Sequence, residues 1–342
     1  MDINEWVALS VKHNASDLHL CTGHPPIWRQ DGRLWRDERQ PRLSAATLAA
    51  WCDRWLAEPQ RQALVAEGQV DLALTLPTGT RMRAHLFRQA EGLSLALRPL
   101  PVSCPQLSDL GAPPVLAEWA LATDGLLLVT GATGSGKSTT LAALVGHLNR
   151  QAARHIITLE DPIEFLHTSE RCLIQQREIG PHSRTFAGAL RAALREDPDV
   201  ILLGELRDAD TIRLALTAAE TGHLVMATLH TRGAAQAVER LVDTFPAEEK
   251  AFVRAQLAGS LRAVVSQTLC ATAGGGRVAL FETLAVTPAA SHLIREGKSH
   301  QLPALLQTGA QAGMQTFAQS RAQRLAQGVR FETETGGAGV QP

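Results

Sequence analysis

A glycine-rich segment near the middle of the chain has residue types and a spacing that bind phosphate groups. Gly131-Ala-Thr-Gly-Ser-Gly-Lys-Ser138 fits the pattern G-x-x-x-x-G-K-[ST] between an apolar run and a helical pattern. Glycines allow backbone N–H groups to turn toward phosphate oxygens, and the N-terminus of the next helix favours negative charge. Lys137 is expected to contact the β- and γ-phosphates and Ser138 to bind Mg²⁺. The predicted phosphate-binding residues are Gly131, Ala132, Thr133, Gly134, Ser135, Gly136, Lys137, Ser138 and Thr139.

A second apolar run ends in an acidic residue that could support hydrolysis. Asp199-Val-Ile-Leu-Leu-Gly-Glu205 has the order of a Walker B strand, whose last carboxylate emerges beside the phosphate loop in a parallel sheet. Gly204 stands where many such NTPases have an aspartate that contacts Mg²⁺. Glu205 must therefore act alone, either through metal-bound water or as the base that orients the attacking water.

Two further groups of polar residues follow predicted strands. Glu160-Asp-Pro-Ile-Glu164 comes at the end of one strand, and His230 follows another. The alternative explanations are a solvated turn for the acidic group and a hydrogen-bonded core histidine for His230. Because these groups share an edge of the sheet with the phosphate loop, we predict catalytic roles for Glu164 and His230. Glu160 and Asp161 are predicted to join Ser138 as metal ligands.

Alternating strand and helix patterns surround these residues and predict an α/β domain with a parallel sheet. Runs such as 126–129 and 200–203 are apolar throughout, which is typical of strands buried on both faces. From Pro246 onward the pattern predicts mostly helices, interrupted by glycines at 274–276 and a strand at 278–286. The predicted strands are 126–130, 155–159, 200–203 and 224–229, and the predicted helices are 137–149, 186–195, 211–221 and 234–244.

The first hundred residues predict a small α+β domain. Helical spacing marks residues 3–14 and a helix capped by Ser44, and alternation marks a strand at 17–21. A hairpin at 27–35 is predicted to turn at Asp31-Gly32. Three more strands are predicted at 70–76, 81–87 and 93–97, and prolines between 99 and 114 indicate an extended linker.

Composition limits the classes of function. The 342 residues allow about two domains, and 33 basic against 34 acidic residues give a net charge of −1, which argues against a large basic surface for nucleic acid. The five cysteines form no C-x-x-C pair, so neither a disulfide framework nor a four-cysteine zinc site is predicted. The start does not have the pattern of a signal peptide, and no apolar run reaches the roughly 18–20 residues that cross a bilayer. We expect a cytoplasmic protein that meets the inner face of a membrane only through a partner.

Four ordered segments resemble the Walker A, Asp box, Walker B and His box of the secretion ATPase superfamily. Members of that superfamily drive type IV pili, type II secretion and related machines. The four segments are residues 131–140, 158–164, 190–208 and 219–231. Ala15-Ser-Asp-Leu-His-Leu20, Leu293-Ile-Arg-Glu-Gly-Lys298 and Gly313-Met-Gln-Thr316 are similar to the PilT-like branch, the pilus retraction ATPases.

The resemblance implies a PAS-like N-terminal domain joined to a RecA-like ATPase domain, assembled as a homohexameric ring with ATP and Mg²⁺ between subunits. It also implies that arginines reach the phosphates across the subunit interface, matched here by Arg81, Arg83 and Arg98. An arginine at the γ-phosphate would stabilise transition-state charge. The alternative for Arg81 and Arg83 is a solvated strand face. The implied domains are 1–100 (PAS-like), 101–114 (linker), 115–287 (RecA-like) and 288–342 (helical region with a frayed tail).

Three features depart from the PilT-like pattern. His85 stands where asparagine is usual, Glu91 reverses a charge, and Ala289-Ala-Ser-His292 replaces a lead-in associated with retraction. Ring assembly and hydrolysis are therefore firmer expectations than retraction itself, and the chain fits a diverged paralogue.

The expected function is a PilT-like hexameric ATPase motor, with an inner-membrane platform protein of a pilus or secretion system as its partner. A sibling function is that of a pilus assembly or type II export ATPase, although those proteins usually carry an extra domain and a four-cysteine zinc insertion. A motor acting on nucleic acid fits poorly with the near-neutral charge. Gly204 and Glu91 keep open a nucleotide-binding regulatory or assembly subunit with little turnover.

Overall fold

A computed structural model describes residues 3–13, 15–30, 33–36, 38–101 and 103–332 of the chain. These residues divide into two compact units. The first extends to Ser103 and also includes Pro162–Leu166, and the second comprises Cys104–Asp161 and the chain from His167 onward. The division after Ser103 falls within the predicted linker. Pro162–Leu166 was expected in the ATPase domain, and it is grouped with the N-terminal unit instead.

The first unit is an antiparallel sheet with helices packed on it. Its strands lie in the order β3-β2-β1-β6-β5-β4, and each is antiparallel to its neighbours. Apolar side chains such as Leu18, Leu48 and Met82 are fully buried in its core. The elements are α1 (Ile3–Lys12), β1 (Asp17–Cys21), β2 (Ile27–Gln30), β3 (Arg33–Arg36), α2 (Ala45–Trp55), α3 (Glu58–Ala66), β4 (Gln69–Thr75), β5 (Arg81–Gln89) and β6 (Gly92–Pro99).

Local signals account for most of these elements. The Ser44 hydroxyl accepts a hydrogen bond from the backbone N–H of Thr47, so the predicted cap begins α2 as expected. The two strands predicted around the hairpin are present as β2 and β3, while Asp31-Gly32 lies outside the described residues. Helix α3 was not predicted.

The second unit is an α/β layer structure around a mixed sheet. Its strands lie in the order β13-β12-β7-β11-β10-β8-β9, all parallel to their neighbours except β13, which is antiparallel to β12. The elements are α4 (Val115–Ala120), β7 (Gly125–Thr130), α5 (Lys137–Gln151), β8 (His155–Glu160), β9 (Leu173–Glu178), α6 (Phe186–Ala193), β10 (Val200–Leu203), α7 (Ala209–Glu220), β11 (Leu224–Leu229), α8 (Ala234–Asp243), α9 (Lys250–Ser260), β12 (Leu261–Ala271), β13 (Arg277–Ala285), α10 (Pro288–Arg295), α11 (Leu302–Thr308) and α12 (Phe317–Ala326), with 3₁₀ turns at Ser299–Gln301 and Ala310–Ala312.

Burial on both faces explains the continuous apolar strands. Leu126 and Leu128 of β7 belong to one hydrophobic cluster, whereas Leu127 and Val129 belong to the cluster on the opposite face. The prediction of an α/β fold with a parallel sheet, preceded by an α+β unit and followed by helices, is confirmed.

Two sequence expectations in this unit were wrong. Residues 261–271 were included in a mostly helical region, but they form the long strand β12, parallel to β7 and antiparallel to β13. A short stretch of apolar residues does not distinguish a buried strand from a buried helix by periodicity. Strand β9, at the edge of the sheet, was missed because its Leu-Ile-Gln-Gln-Arg-Glu sequence lacks an apolar run.

Candidate nucleotide-binding site

The carboxyl ends of four neighbouring strands bring the predicted chemistry to one edge of the second unit. In the order β7, β11, β10 and β8 they lead into the phosphate loop, His230, Gly204-Glu205 and Glu160-Asp161. Parallel sheets bind ligands at this edge, because the loops that follow the strands meet there.

The phosphate loop forms a tight cradle after β7. Gly136 has a left-handed backbone with φ of 90°, and a Cβ atom at this position would lie 2.8 Å from the Nε2 atom of Gln267. A Cβ at Gly131 would collide with the carbonyl oxygen of Gln267. Helix α5 begins at Lys137 without a side-chain cap, so its first N–H groups are available to an anion.

The interior of this cradle suits a polyphosphate. Lys137 is buried, and its Nζ atom donates hydrogen bonds to the carbonyl oxygens of Gly131 at 3.0 Å and Ala132 at 3.1 Å. The buried Oγ atom of Ser135 has no hydrogen-bond partner within the described part of the chain. A buried hydroxyl without a partner is costly, and a phosphate oxygen would satisfy it. The residues present therefore fit a bound nucleotide.

His230 connects the phosphate loop to Glu205. Its Nδ1 atom lies 3.4 Å from the hydroxyl of Thr133, and its Nε2 atom lies 3.4 Å from the Oε1 atom of Glu205. Thr133, His230 and Glu205 thus form a continuous chain of polar contacts from the loop to the end of β10. This arrangement could orient a water molecule beside a γ-phosphate.

Backbone hydrogen bonds fix the position of Glu205. The N–H of Gly204 donates to the carbonyl oxygen of Leu159 at 2.8 Å, and the N–H of Leu206 donates to that of Thr228 at 3.1 Å. The Thr228 hydroxyl also donates to the carbonyl oxygen of Gly204. Strands β8 and β11 therefore hold the backbone on both sides of the carboxylate.

Arg207 is a partner of Glu205 to which the sequence analysis gave no role. Its Nε and Nη2 atoms both lie 2.8 Å from the Oε2 atom of Glu205. This hydrogen bond, together with the charges of Glu205 and the nearby Asp161, raises the pKa of Arg207 above its ordinary value against the opposing effect of burial. Asp161 is exposed and lies close enough to influence this pair electrostatically.

Glu160 accepts hydrogen bonds from neighbouring side chains at the edge of the sheet. Its Oε1 atom accepts hydrogen bonds from the hydroxyl of Thr158 at 2.6 Å and the side-chain amide of Gln176 at 3.3 Å. Within the described residues, no group of three His, Cys, Asp or Glu side chains is arranged to hold a metal ion. Metal binding by Ser138, Glu160 and Asp161 stays a prediction.

Gln267 of β12 is a site residue that sequence reasoning missed. It is 4% exposed, and its Oε1 atom accepts a 2.6 Å hydrogen bond from the buried hydroxyl of Thr140. Its side chain also packs against Gly136. The position of Gln267 just after the apolar stretch 263–265 was the available signal, but that segment was predicted to be helical.

A pocket of about 220 Å³ lies next to the phosphate loop. Its lining residues come from the loop and start of α5 (Gly136 and Thr139), from β12 (Gln267 and Leu269), from Asp109-Leu110 and from residues 277–279 of β13. The pocket therefore adjoins the end of the phosphate loop, where α5 begins.

The remaining predicted site residues belong to the first unit. Arg81 donates hydrogen bonds to the carbonyl oxygens of Ile163 at 2.9 Å and Glu164 at 3.3 Å. Arg98 binds the carboxylate of Asp17 with nitrogen–oxygen distances of 2.9 and 2.7 Å. Arg83 is half-buried and lies directly opposite Arg98 across β5 and β6. The roles of these arginines and of Glu164 stay predictions.

Two of the unusual residues have local partners. The Nδ1 atom of His85 lies 3.2 Å from a carboxylate oxygen of Asp71. The carboxylate of Glu91 lies 3.2 Å from the Nε2 atom of His24. His85 and Glu91 are therefore each accommodated by a polar neighbour within the first unit.

Helix length bears on the predicted relation to membranes. No helix in the described residues combines the length and apolar composition needed to span a lipid bilayer.

The sequence matches the family model described as "Type II/IV secretion system protein" over residues 3–335. It is 63% identical over 328 residues to the protein YggR of Escherichia coli, which covers 96% of this chain and 99% of that protein. It is 48% identical over 317 residues to the type IV pilus retraction ATPase PilT of Pseudomonas aeruginosa, covering 93% and 92% of the two chains.

The fold is also similar to solved structures. A crystal structure of the pilus retraction motor PilT with bound ADP superposes with a TM-score of 0.88 and 41% sequence identity, covering 98% of this chain and 95% of that one. The matched 98% of the chain includes residues of both units.

Proposed function

Because the chain belongs to the type II/IV secretion system protein family, it is an ATPase of the secretion ATPase superfamily, and we propose that it acts as a hexameric motor. The motor couples Mg-ATP hydrolysis to domain rotation in a type IV pilus or a related secretion machine. The observation that carries this proposal is the chain of contacts from Thr133 through His230 to Glu205 beside the phosphate loop.

The phosphate loop binds the substrate. Lys137 exchanges its contacts with the carbonyl oxygens of Gly131 and Ala132 for the β- and γ-phosphates. Ser135 and the first N–H groups of α5 donate to phosphate oxygens. Mg²⁺, when bound, neutralises developing charge on the phosphates. Ser138 would hold it with the phosphate oxygens. The other predicted ligands, Glu160 and Asp161, lie at the end of β8, which β11 and β10 separate from β7.

Glu205 is the general base. A carboxylate oxygen can accept more than one hydrogen bond, so Glu205 can orient a water while it keeps Arg207 and His230. His230 contacts both Thr133 of the phosphate loop and Glu205, so a γ-phosphate bound at the loop would affect the position of Glu205 through His230.

Arginines from the N-terminal unit complete the site across a subunit interface. Arg83 and Arg98 face each other on neighbouring strands, and two like charges directly opposite each other are unfavourable. Asp17 pairs with Arg98, so an anion near Arg83 would relieve the remaining repulsion. A triphosphate held by the neighbouring protomer supplies that anion.

The nucleoside occupies the pocket beside the phosphate loop. Gly136 and Thr139 belong both to the predicted phosphate-binding residues and to the pocket lining, so the pocket adjoins the phosphate loop. Gln267 presents its amide there, and Leu269 and Val278 provide apolar surface for a base.

A second candidate is a nucleotide-binding regulatory or assembly subunit with little turnover. Gly204, which lacks the carboxylate that many related sites direct at Mg²⁺, favours it. The two candidates differ in the rate of hydrolysis and agree on nucleotide binding.

Purified protein tests the proposal directly. We expect Mg²⁺-dependent ATP hydrolysis that Lys137→Ala abolishes, and a native mass of about six protomers with nucleotide. In cells, deletion of the gene should alter twitching, surface piliation or protein secretion, and complementation with Lys137→Ala should not restore it. A strictly monomeric protein without ATPase activity would refute the motor, whereas tight nucleotide binding without turnover would favour the second candidate.

A further inference from the structure

The last described helix, α12, contributes a half-buried arginine, Arg324, to the second unit. The Nη2 atom of Arg324 donates hydrogen bonds to the carbonyl oxygens of Gly111 at 2.6 Å, Leu110 at 3.0 Å and Ala279 at 3.4 Å. Its Nη1 atom lies 3.3 Å from the side-chain oxygen of Gln327. The guanidinium also packs so closely on Gly111 that a Cβ atom there would overlap it.

These carbonyl groups belong to two different walls of the nucleoside pocket. Leu110 and its neighbour Asp109 line the pocket from the loop that precedes α4. Ala279 and its neighbour Val278 line it from β13. A single side chain on α12 is therefore hydrogen-bonded to segments separated by more than 160 positions in sequence, and both segments border the same cavity.

The chemistry of Arg324 indicates a bridging role and not an ion pair. Within the described residues it has no carboxylate partner, and its guanidinium donates hydrogen bonds to carbonyl oxygens instead. Burial lowers the pKa of Arg324 from its ordinary value.

We propose that Arg324 is a positioning residue for nucleoside binding, which sets the distance between the Asp109-Leu110 wall and the β13 wall of the pocket. This role depends on the proposed nucleotide function, because the pocket is assigned to the nucleoside only there. Arg324 does not touch the phosphate loop, so it acts on the nucleoside portion of the ligand and not on the phosphates. Helix α12 is thereby coupled to nucleotide occupancy.

The test compares two ligands that share the phosphate chain. ATP fills both the phosphate loop and the pocket, whereas inorganic tripolyphosphate fills the loop alone. Calorimetric titration with Mg²⁺ and each ligand is performed on the full chain carrying Arg324→Ala, with Arg324→Lys as the conservative variant. Arg321→Ala is the matched control, because Arg321 lies on the same helix but stacks on Phe331 at 4.3 Å.

We expect Arg324→Ala to weaken ATP binding about tenfold, comparable to losing one hydrogen bond from a charged group. Tripolyphosphate affinity should stay within about twofold of the parent, since the phosphate loop is unchanged. Arg324→Lys should recover part of the ATP affinity, and Arg321→Ala should leave both affinities unchanged. KM for ATP should rise in Arg324→Ala while kcat is preserved.

Three results would overturn the role of Arg324. These are an unchanged ATP affinity in Arg324→Ala, equal weakening of ATP and tripolyphosphate, or the same ATP defect in Arg321→Ala. If Arg324→Ala fails to fold, Arg324→Lys carries the same comparison of ligands. Failure of the unaltered protein to bind either ligand would instead refute the proposed function, and the role of Arg324 with it.

Discussion

Replacing Glu205 by glutamine distinguishes a catalytic role of this carboxylate from a structural one. The substitution keeps the shape of the side chain and one carbonyl oxygen but removes the negative charge and most of the basicity. Loss of a general base typically lowers turnover by about 10² to 10⁴, equivalent to roughly 3–5 kcal/mol in the barrier. We therefore expect Glu205→Gln to bind ATP with nearly unchanged affinity and to hydrolyse it at a small fraction of the parent rate.

The structure predicts a much smaller effect on stability. Glu205 pairs with Arg207 at 2.8 Å, but the Arg207 side chain is 68% exposed. Ion pairs in such surroundings contribute about 0–1 kcal/mol. For a unit of this size, that loss would lower Tm by no more than about 4 °C. Glu205→Gln should therefore lower turnover strongly and Tm only slightly.

Three measurements on one preparation test this reasoning: steady-state phosphate release, ATP affinity and thermal unfolding. Glu196→Gln is a matched control, because Glu196 is an exposed carboxylate of the same unit that pairs with an arginine, Arg177, at 2.7 Å. Its turnover should equal that of the parent. Unchanged turnover in Glu205→Gln would show that another group is the base, and a loss of several kcal/mol in stability would show that Glu205 is mainly structural.

Two further predictions concern the role of Arg83 in turnover and the pH dependence of stability. Arg83→Ala should leave ATP affinity mostly intact but lower turnover at least tenfold. Substitution of the exposed Arg88, on the same strand, is the control. An unchanged rate of hydrolysis in Arg83→Ala would refute the proposed contact of Arg83 across the subunit interface. Burial lowers the pKa of His167 from 6.5 to about 4, so the unfolded chain binds more protons between these pH values and stability falls as the pH falls through this range. His167→Gln should reduce this loss by up to about 3 kcal/mol in urea unfolding at pH 4.5 against pH 7. Identical pH slopes in both proteins would contradict a neutral, half-buried His167.

The strands and the loop that carry the phosphate site could be predicted from local sequence. Continuous apolar runs indicate strands buried on both faces, and parallel strand order then brings their carboxyl ends together. That reasoning anticipated the neighbourhood of Glu205 and His230, which lie 3.4 Å apart. It needed no information beyond the order of elements along the chain.

Contacts between distant segments could not be predicted in the same way. Gln267 reaches Thr140 across 127 positions in sequence, and the pattern around Gln267 does not distinguish a strand from a helix. Arg207 follows Glu205 by two residues, but only the backbone conformation turns its guanidinium back onto the carboxylate. The grouping of Pro162–Leu166 with the first unit likewise depends on packing that no local signal encodes.

The antiparallel ladder between β12 and β13 has a consequence for how such chains can change in length. Nine consecutive residue pairs, from Ala263 with Ala285 to Ala271 with Arg277, keep Gln267 beside the phosphate loop. One inserted residue in either strand would turn every later side chain to the opposite face. The exposed glycines at 274–276 connect the strands outside this ladder. Insertions and deletions among homologous chains are therefore expected at the tip of this hairpin, where they leave the position of Gln267 intact.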